Sequence, residues 1–167
     1  MSAPSPGERE FVERIGLFFE TMGSQRTAGR IYGWLMVCEP PHQSIADLAT
    51  ALGVSKASVS TLGRQLEQAQ LIERVPVART RQHHYQVRPG GWAQILRARV
   101  ARLRPAGDAA EYGLSVVGED RPEQRERVQE LRDFMAFAEQ EYGEEHVRRW
   151  EEYRKRARDA RAKVRDH

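Results

Sequence analysis

The sequence predicts a mainly α-helical protein with a small β-hairpin, and three observations carry this prediction. Apolar residues recur at spacings of three and four along most of the 167 residues, which is the period of an amphipathic helix. Residues 44–62 carry the capping serines, small residues and glycine of two helices that meet at a tight turn. Two strand-like runs around a short basic link follow. Together they predict a winged helix-turn-helix with long dimerisation helices at both ends of the chain.

The composition narrows the class further. Apolar residues make up 40% and charged residues 31% of a 19.2 kDa chain, which is about the size of one domain. A single cysteine excludes an internal disulfide framework and a cysteine-based zinc site, and it fits a reducing compartment. The longest apolar run, residues 34–38, is far short of the roughly 20 residues that span a membrane. We therefore expect a cytoplasmic protein without a secretory signal or membrane contact.

Charge is distributed unevenly along the chain. Residues 42–104 hold ten Lys and Arg and three acidic residues, a net charge of +7, whereas the remainder carries −4. A basic block between acidic flanks favours a polyanionic partner for the middle segment. An ordinary solvated surface accounts for the charge equally well. The order of the residues therefore has to decide between a polyanion-binding segment and a solvated surface.

The N-terminal part is expected to consist of two supporting helices. Residues 1–7 are predicted to be disordered, and residues 8–41 to form helices for dimerisation and support. The first helix ends at Gly23, and the second runs over about residues 28–38 with Thr27 as its N-cap. The apolar stripe of the first helix is formed by Phe11, Ile15, Phe18 and Met22.

Residues 42–90 are predicted to form the DNA-binding unit. Ser44, with Asp47 three residues on, caps the first helix, and Gly53 supplies the positive φ needed to leave it. Ser55 caps the second helix, whose inward positions are Val59, Leu62, Leu66 and Ala69. Its outward side chains are short, polar or cationic and include no acid, which suits a DNA groove and its phosphates. The residues expected at DNA are Ser44, Ser55, Lys56, Ser58, Ser60, Thr61, Arg64, Gln65, Arg79 and Arg81.

Arg79 and Arg81 belong to the predicted wing. The strand-like runs are residues 71–77 and 84–88, and Pro76 indicates an edge strand or a bulge. Two arginines on so short a link would reach the minor groove or its phosphates, whereas the alternative is a solubilising turn.

Residues 91–167 are predicted to be a helical dimerisation region. A helix beginning near Trp92 is interrupted at residues 105–107, and Asp108 is expected to cap a short helix. Pro122 opens the last helical segment, in which the apolar phase slips near Gly143 and predicts a bend or break. Because the stripes of residues 11–22 and 128–164 exceed what one small core can cover, we expect a homodimer. An intramolecular bundle is the alternative.

Aromatic residues on several helices indicate a possible effector pocket or plain core packing. The candidates for binding an aromatic or cationic small molecule are Phe18, Tyr32, Trp34, Tyr112 and Phe134. Cys38 follows an apolar helix end and precedes Glu39, so a buried inert thiol is favoured over a redox switch. His83 and His84 point to opposite faces of a strand and are not expected to share a metal.

No sequence pattern indicates an enzyme. The chain has no glycine-rich phosphate loop, Gly-x-Ser-x-Gly or His-Glu-x-x-His motif, and we expect no catalytic residues, cofactor or metal. RNA binding would call for exposed aromatics on a sheet, and the hairpin offers only Tyr85. The alternative to a sequence-specific regulator is a non-catalytic winged-helix module for protein contact, or for architectural DNA binding without an effector.

The order of helices, helix-turn-helix, basic wing and C-terminal helices resembles the MarR family of bacterial winged-helix repressors. The segments that resemble its GbsR-like branch are residues 27–35, 57–60, 66–67, 71–75 and 88–92. The resemblance implies a homodimer on a near-palindromic operator, with recognition helices roughly 34 Å apart, and a repressor released by a small molecule. The wing departs from many members because no acid accompanies Arg79 and Arg81.

Overall fold

The computed structural model describes residues 4–77 and 83–165, with residues 99, 100 and 165 described by their backbone alone. Within these ranges the chain forms eight α-helices and one three-stranded antiparallel sheet, so the predicted mainly helical class with a β-hairpin is confirmed. The chain divides into two compact units, Met1–Gly91 and Trp92–His167. None of the helices in the described ranges is long and apolar enough to cross a membrane.

The first unit opens with two helices, α1 (Pro6–Thr21) and α2 (Arg26–Val37). Helix α1 begins two residues before the predicted Glu8, because Ser5 and Glu8 form a capping box that the sequence analysis missed. Helix α2 likewise begins before Thr27, so that residue is not its cap. Val12, Gly16 and Phe19 form the buried face of α1, whereas Phe18 and Met22 of the predicted apolar stripe are exposed.

Helices α1 and α2 cross at very short range. A Cβ atom built on Gly29 would lie 2.7 Å from the carbonyl oxygen of Ile15, 2.7 Å from Cβ of Phe19 and 2.8 Å from Cα of Gly16. The two backbones therefore touch where the glycines meet, which holds α1 and α2 as a rigid pair.

The remaining elements of the unit are two helices and the three strands. They are β1 (Gln43–Ser44), α3 (Ile45–Leu52), α4 (Lys56–Gln68), β2 (Ile72–Pro76) and β3 (His83–Val87). Strand β3 lies between β1 and β2, so β2 is an edge strand and Pro76 removes no ladder hydrogen bond from the sheet interior. Strand β1 was not predicted, because a strand of two residues is too short to show an alternation of apolar and polar side chains.

The core of the first unit is mainly apolar, with Gln43 and Ser44 of β1 as buried polar residues. Its most deeply buried side chains come from α2, α3, α4 and β2: Ile31, Tyr32, Leu48, Val59 and Ile72. Ala69, expected to face inward, is exposed because α4 ends at Gln68 and Ala69 is its C-cap.

The second unit contains the rest of the helices: α5 (Gly91–Ala101), α6 (Arg104–Val116), α7 (Pro122–Tyr142) and α8 (Glu144–Arg165). The break at Gly143 and the position of Pro122 at the start of α7 are confirmed. The predicted cap at Asp108 is wrong. Helix α6 already begins at Arg104, since Pro105 sits in its first turn, where a missing N–H costs nothing.

Candidate nucleic-acid interface

Helix α3 is fixed at its start by Ser44. The Ser44 hydroxyl donates to Oδ2 of Asp47 at 2.7 Å and accepts from the Asp47 N–H at 3.1 Å, and the Ser44 N–H donates back to Oδ2 at 3.2 Å. Ser44 is only 4% exposed. Its side chain therefore caps α3, and a contact of Ser44 with DNA stays a prediction.

The turn between α3 and α4 has the conformation its sequence predicts. Gly53 ends α3 at φ 65° and ψ 36°, a left-handed conformation that suits glycine. The Val54 N–H donates to the carbonyl of Ala49 at 3.1 Å, and Oγ of Ser55 accepts from the Ser58 N–H at 3.1 Å to cap α4. The turn thus holds the N-terminus of α4, with its positive dipole end, at the surface of the unit.

Helix α4 has one buried face and one outward face. Val59, Leu62, Gly63 and Leu66 are buried against the unit. The outward residues recur at helical spacing and are exposed: Ala57, Thr61, Arg64, Gln65 and Gln68. Ser58 and Ser60 are half-buried at the flanks, while Ser55 and Lys56 are exposed at the helix start.

The outward face of α4 contains no carboxylate. Ala57 and Gln68 belong to it although the sequence analysis did not select them. Their spacing from Thr61 and Arg64 was the available signal, since positions three and four apart share one helix face.

The wing is locked to α4 by Tyr85. This residue is 2% exposed, and a Cβ atom on Gly63 would lie 3.0 Å from its ring. Arg74, opposite Tyr85 on β2, holds its guanidinium carbon 5.7 Å from the ring centroid and its Nε 3.2 Å from Oε2 of Glu67 on α4. The hydrogen bond to Tyr85 raises the pKa of Arg74 above its ordinary value. Glu67, the one acid on α4, is thereby turned toward the wing.

A cleft of about 350 Å³ opens between α3, α4 and the wing. Its lining contains the cations Lys56 and Arg74, together with His83 and the hydroxyl of Ser60, and no carboxylate. Such a cleft suits a phosphate oxygen, because the nearby start of α4 adds free backbone N–H groups. Arg74 was missed from the sequence because only the strand register places it beside α4.

Arg79 and Arg81, predicted at the wing tip, lie outside the described residues. The strands that carry the tip end in a pairing of Pro76 with His83. The contribution of Arg79 and Arg81 to DNA binding stays a prediction.

The predicted effector-pocket residues fall into two groups. Tyr32 and Trp34 are buried in the core of the first unit, where the Tyr32 ring centroid lies 5.6 Å from that of Phe19. Phe18 in the first unit, and Tyr112 and Phe134 in the second, are exposed. For Tyr32 and Trp34, core packing accounts for burial without a ligand, and the pocket stays a prediction.

Cys38 is a buried free thiol. Burial, with a smaller contribution from the negative charge of Glu39, raises the pKa of Cys38 to about 11. The thiol is therefore protonated at neutral pH, as an inert packing residue is. His42 and His84 lie with ring centroids 5.3 Å apart, and the described residues contain no group of three or more His, Cys, Asp or Glu placed to hold a metal ion.

A capped helix-turn-helix beside a β-hairpin, with a carboxylate-free outward face on its second helix, defines a winged-helix DNA-binding unit. Residues 37–78 match the MarR family, and residues 90–153 match the family described as MmpR5-like MarR family transcriptional regulator. The chain is 40% identical over 134 residues to the HTH-type transcriptional regulator MmpR5 of Mycobacterium tuberculosis (strain ATCC 25618 / H37Rv), covering 80% of this chain and 81% of that protein. The chain therefore belongs to the MarR family of transcriptional regulators.

A solved structure at 37% identity agrees with this assignment. A crystal structure of a transcriptional regulator superimposes with a TM-score of 0.74 at 37% identity, covering 88% of this chain and 99% of that one. MepR, a transcription regulator of the Staphylococcus aureus multidrug efflux pump MepA, matches with a TM-score of 0.41 at 22% identity over 71% of this chain and 84% of its own. At that distance the second likeness does not bear on function.

Proposed function

We propose that the chain is a cytoplasmic, non-enzymatic bacterial repressor that binds a near-palindromic DNA operator as a homodimer. The observation that carries the proposal is the outward face of α4, where Thr61, Arg64 and Gln65 are exposed beside each other without an acid. Arginine and glutamine side chains read guanine and adenine edges in the major groove, which is wide enough to admit a helix. Thr61, Arg64, Gln65 and Gln68 are the base-reading candidates.

Phosphate contacts would hold α4 in register on the duplex. Lys56, Ser55 and Ser60 stand at the start of α4, and Lys56, Ser60 and His83 line the cleft beside the wing. Contacts of this kind position a protein on DNA without reading its sequence. Arg79 and Arg81 would extend them into the minor groove.

Exposed apolar side chains support the homodimer. In the second unit, large apolar residues on α6, α7 and α8 are exposed: Tyr112, Val116, Leu131, Phe134, Phe137, Tyr142, Tyr153 and Val164. In the first unit, Leu17, Phe18 and Met22 are exposed on α1. So many exposed apolar residues mark an interaction surface, and a second copy would cover the two terminal helical regions and place two α4 helices about one DNA turn apart.

The dimer surface can be tested on α7. We expect Phe134→Ser combined with Phe137→Ser to shift the protein from dimer to monomer, because both rings are more than half exposed (58% and 56%) and would be buried only by a partner. Light scattering after size exclusion would measure the mass, which should fall from twice 19.2 kDa to 19.2 kDa.

Met36→Ser is the matched control for the dimer experiment. Met36 is an exposed apolar residue on α2, outside the terminal stripes, and its replacement should leave the mass unchanged. A wild-type protein that is already monomeric, or a double variant that remains dimeric, contradicts the proposed interface.

Finer assignments within the family remain proposals. The matched relatives are MmpR5-like, and the GbsR-like branch rests on the sequence resemblance alone. An aromatic or cationic effector that releases the operator is likewise proposed from Phe18, Tyr32, Trp34, Tyr112 and Phe134.

The proposed function is tested by selecting duplexes from a randomised pool with the wild-type protein. We expect a near-palindromic consensus, bound far more tightly than a scrambled duplex, with affinity falling as salt rises in proportion to the phosphates contacted. Fluorescence anisotropy at several salt concentrations measures both quantities. Salt-dependent binding without preference would favour the architectural alternative, and no binding from a folded protein would favour the protein-contact module.

A further inference from the structure

Arg30 of α2 contacts two other helices, α1 and α3. Its Nη2 donates to the carbonyl of Leu52 at the end of α3, at 3.0 Å. Its Nε lies 2.7 Å from Oε1 of Glu13 on α1. The two groups form an ion pair, but the Nε–H is not directed at the carboxylate and makes no hydrogen bond. The Arg30 side chain is 25% exposed, so solvent competes only partly for these contacts.

The carbonyl that Arg30 holds is next to the turn of the helix-turn-helix. Leu52 is the last residue of α3, and Gly53 follows in the left-handed conformation that directs the chain toward α4. Carbonyls in the last turn of a helix lack partners within the helix. Arg30 supplies one from outside, with a charged donor, which gives a stronger bond than a neutral one.

The other end of this connection is the carboxylate of Glu13, which two arginines share. Its Oε1 forms the ion pair with Arg30, and its Oε2 accepts a hydrogen bond from Arg26 at 2.8 Å. A Cβ atom on Gly16 would lie 2.9 Å from Cγ of Arg30, so the missing side chain at this position leaves the space through which Arg30 reaches across α1. Because α1 and α2 are in backbone contact at Gly29, a shift of α1 would move Arg30 and, through its hydrogen bond, the end of α3.

We propose that Arg30 is a positioning residue for operator binding, which ties α1 to the helix-turn-helix turn and so sets the angle at which α4 is presented. The inference rests on the proposed function, because it assumes that α4 reads DNA. It assigns to Glu13, Arg30 and the Leu52 carbonyl an effect on base recognition although none of them belongs to the DNA-facing set. Since α1 carries part of the proposed dimer surface, the same connection would couple dimer geometry to operator affinity.

An exposed ion pair would have no such effect, because such pairs contribute little. Arg26 provides the comparison within the chain. It pairs with the same carboxylate at nearly the same distance, but it is 47% exposed and has no bond to α3. Removing Arg26 therefore removes a cation and an ion pair, while the tie to the turn remains.

The experiment compares Arg30→Met with Arg26→Met on the duplex selected by the wild-type protein and on its scrambled form. We expect Arg30→Met to weaken binding to the selected duplex about tenfold, as coupling residues do. Binding to the scrambled duplex and the salt dependence should stay as in the wild type, because a positioning residue acts through α4 and does not itself contact a phosphate. Arg26→Met should leave all three quantities within about twofold of wild type.

Two results would overturn the assignment. If Arg30→Met and Arg26→Met change the two affinities and the salt dependence equally, Arg30 contributes no more than an exposed ion pair does. A loss on both duplexes with a flatter salt dependence would mean that Arg30 touches DNA directly. If Arg30→Met shows no cooperative thermal unfolding, Glu13→Gln decides instead: a loss of about threefold or more confined to the selected duplex supports the inference, and unchanged binding overturns it.

The proposed function and this inference fail in different ways. If the wild-type protein selects no consensus, the proposed function fails before any variant is measured. If it selects one and Arg30→Met binds it as tightly, only the positioning role is lost.

Discussion

Replacing Gly29 with alanine is expected to lower the free energy of unfolding by about 2 kcal/mol, within the range found when extra atoms are forced into a packed core. The added Cβ would stand 2.7 Å from the carbonyl oxygen of Ile15 and 2.8 Å from Cα of Gly16. Both are backbone atoms, which cannot rotate away as a flexible side chain can. Helices α1 and α2 must therefore separate, although alanine is intrinsically favoured over glycine in a helix by about 1 kcal/mol.

Gly7→Ala is the matched control for this prediction. Gly7 is also a helical glycine, in α1, and a Cβ atom there meets nothing within 4 Å, so this variant should be neutral or slightly stabilised. Urea unfolding at one fixed protein concentration measures both variants, since the stability of a dimer depends on concentration. A Gly29→Ala protein as stable as Gly7→Ala would show that the crossing of α1 and α2 is looser than described.

The helix-turn-helix could be predicted from sequence because its signals are local. Ser44, Gly53 and Ser55 each act within four residues of their own position through caps and a left-handed turn, and the structure has all three in those roles. The break at Gly143 was predicted from a different local signal, the slip in the phase of the apolar residues. Where a residue type favours one local conformation, the spacing of such residues along the sequence is sufficient to predict the local structure.

Contacts between distant segments were beyond prediction for a physical reason. Whether Arg74 stacks on Tyr85 depends on strand register, and whether Arg30 reaches Leu52 depends on how three helices cross. Neither is encoded in local periodicity. Ser44 combines both kinds of signal: its capping role is local and could be predicted, whereas its burial, at 4% exposed, depends on how the unit packs.

Replacing Arg64 with alanine is expected to cost about 1–3 kcal/mol of binding free energy on the selected operator, if its guanidinium reads a base edge. Arg64 is exposed at the middle of the outward face of α4, where a side chain can enter the major groove. Repeating the selection with the variant should show relaxed preference at one position in each half-site. Anisotropy titrations on duplexes that differ at that position measure the loss.

Arg14→Ala controls for the loss of a positive charge alone, since Arg14 is exposed on α1 and forms an ion pair with Glu10 of the same helix. Arg79→Ala gives the contrasting result: as a phosphate or minor-groove contact, it should weaken binding to selected and scrambled duplexes alike and flatten the salt dependence by about one unit of slope. Arg64 and Arg79 thus separate base reading from backbone attraction. If both variants lose affinity equally on all sequences, α4 contributes charge without recognition, and if neither loses affinity, the DNA surface lies elsewhere on the molecule.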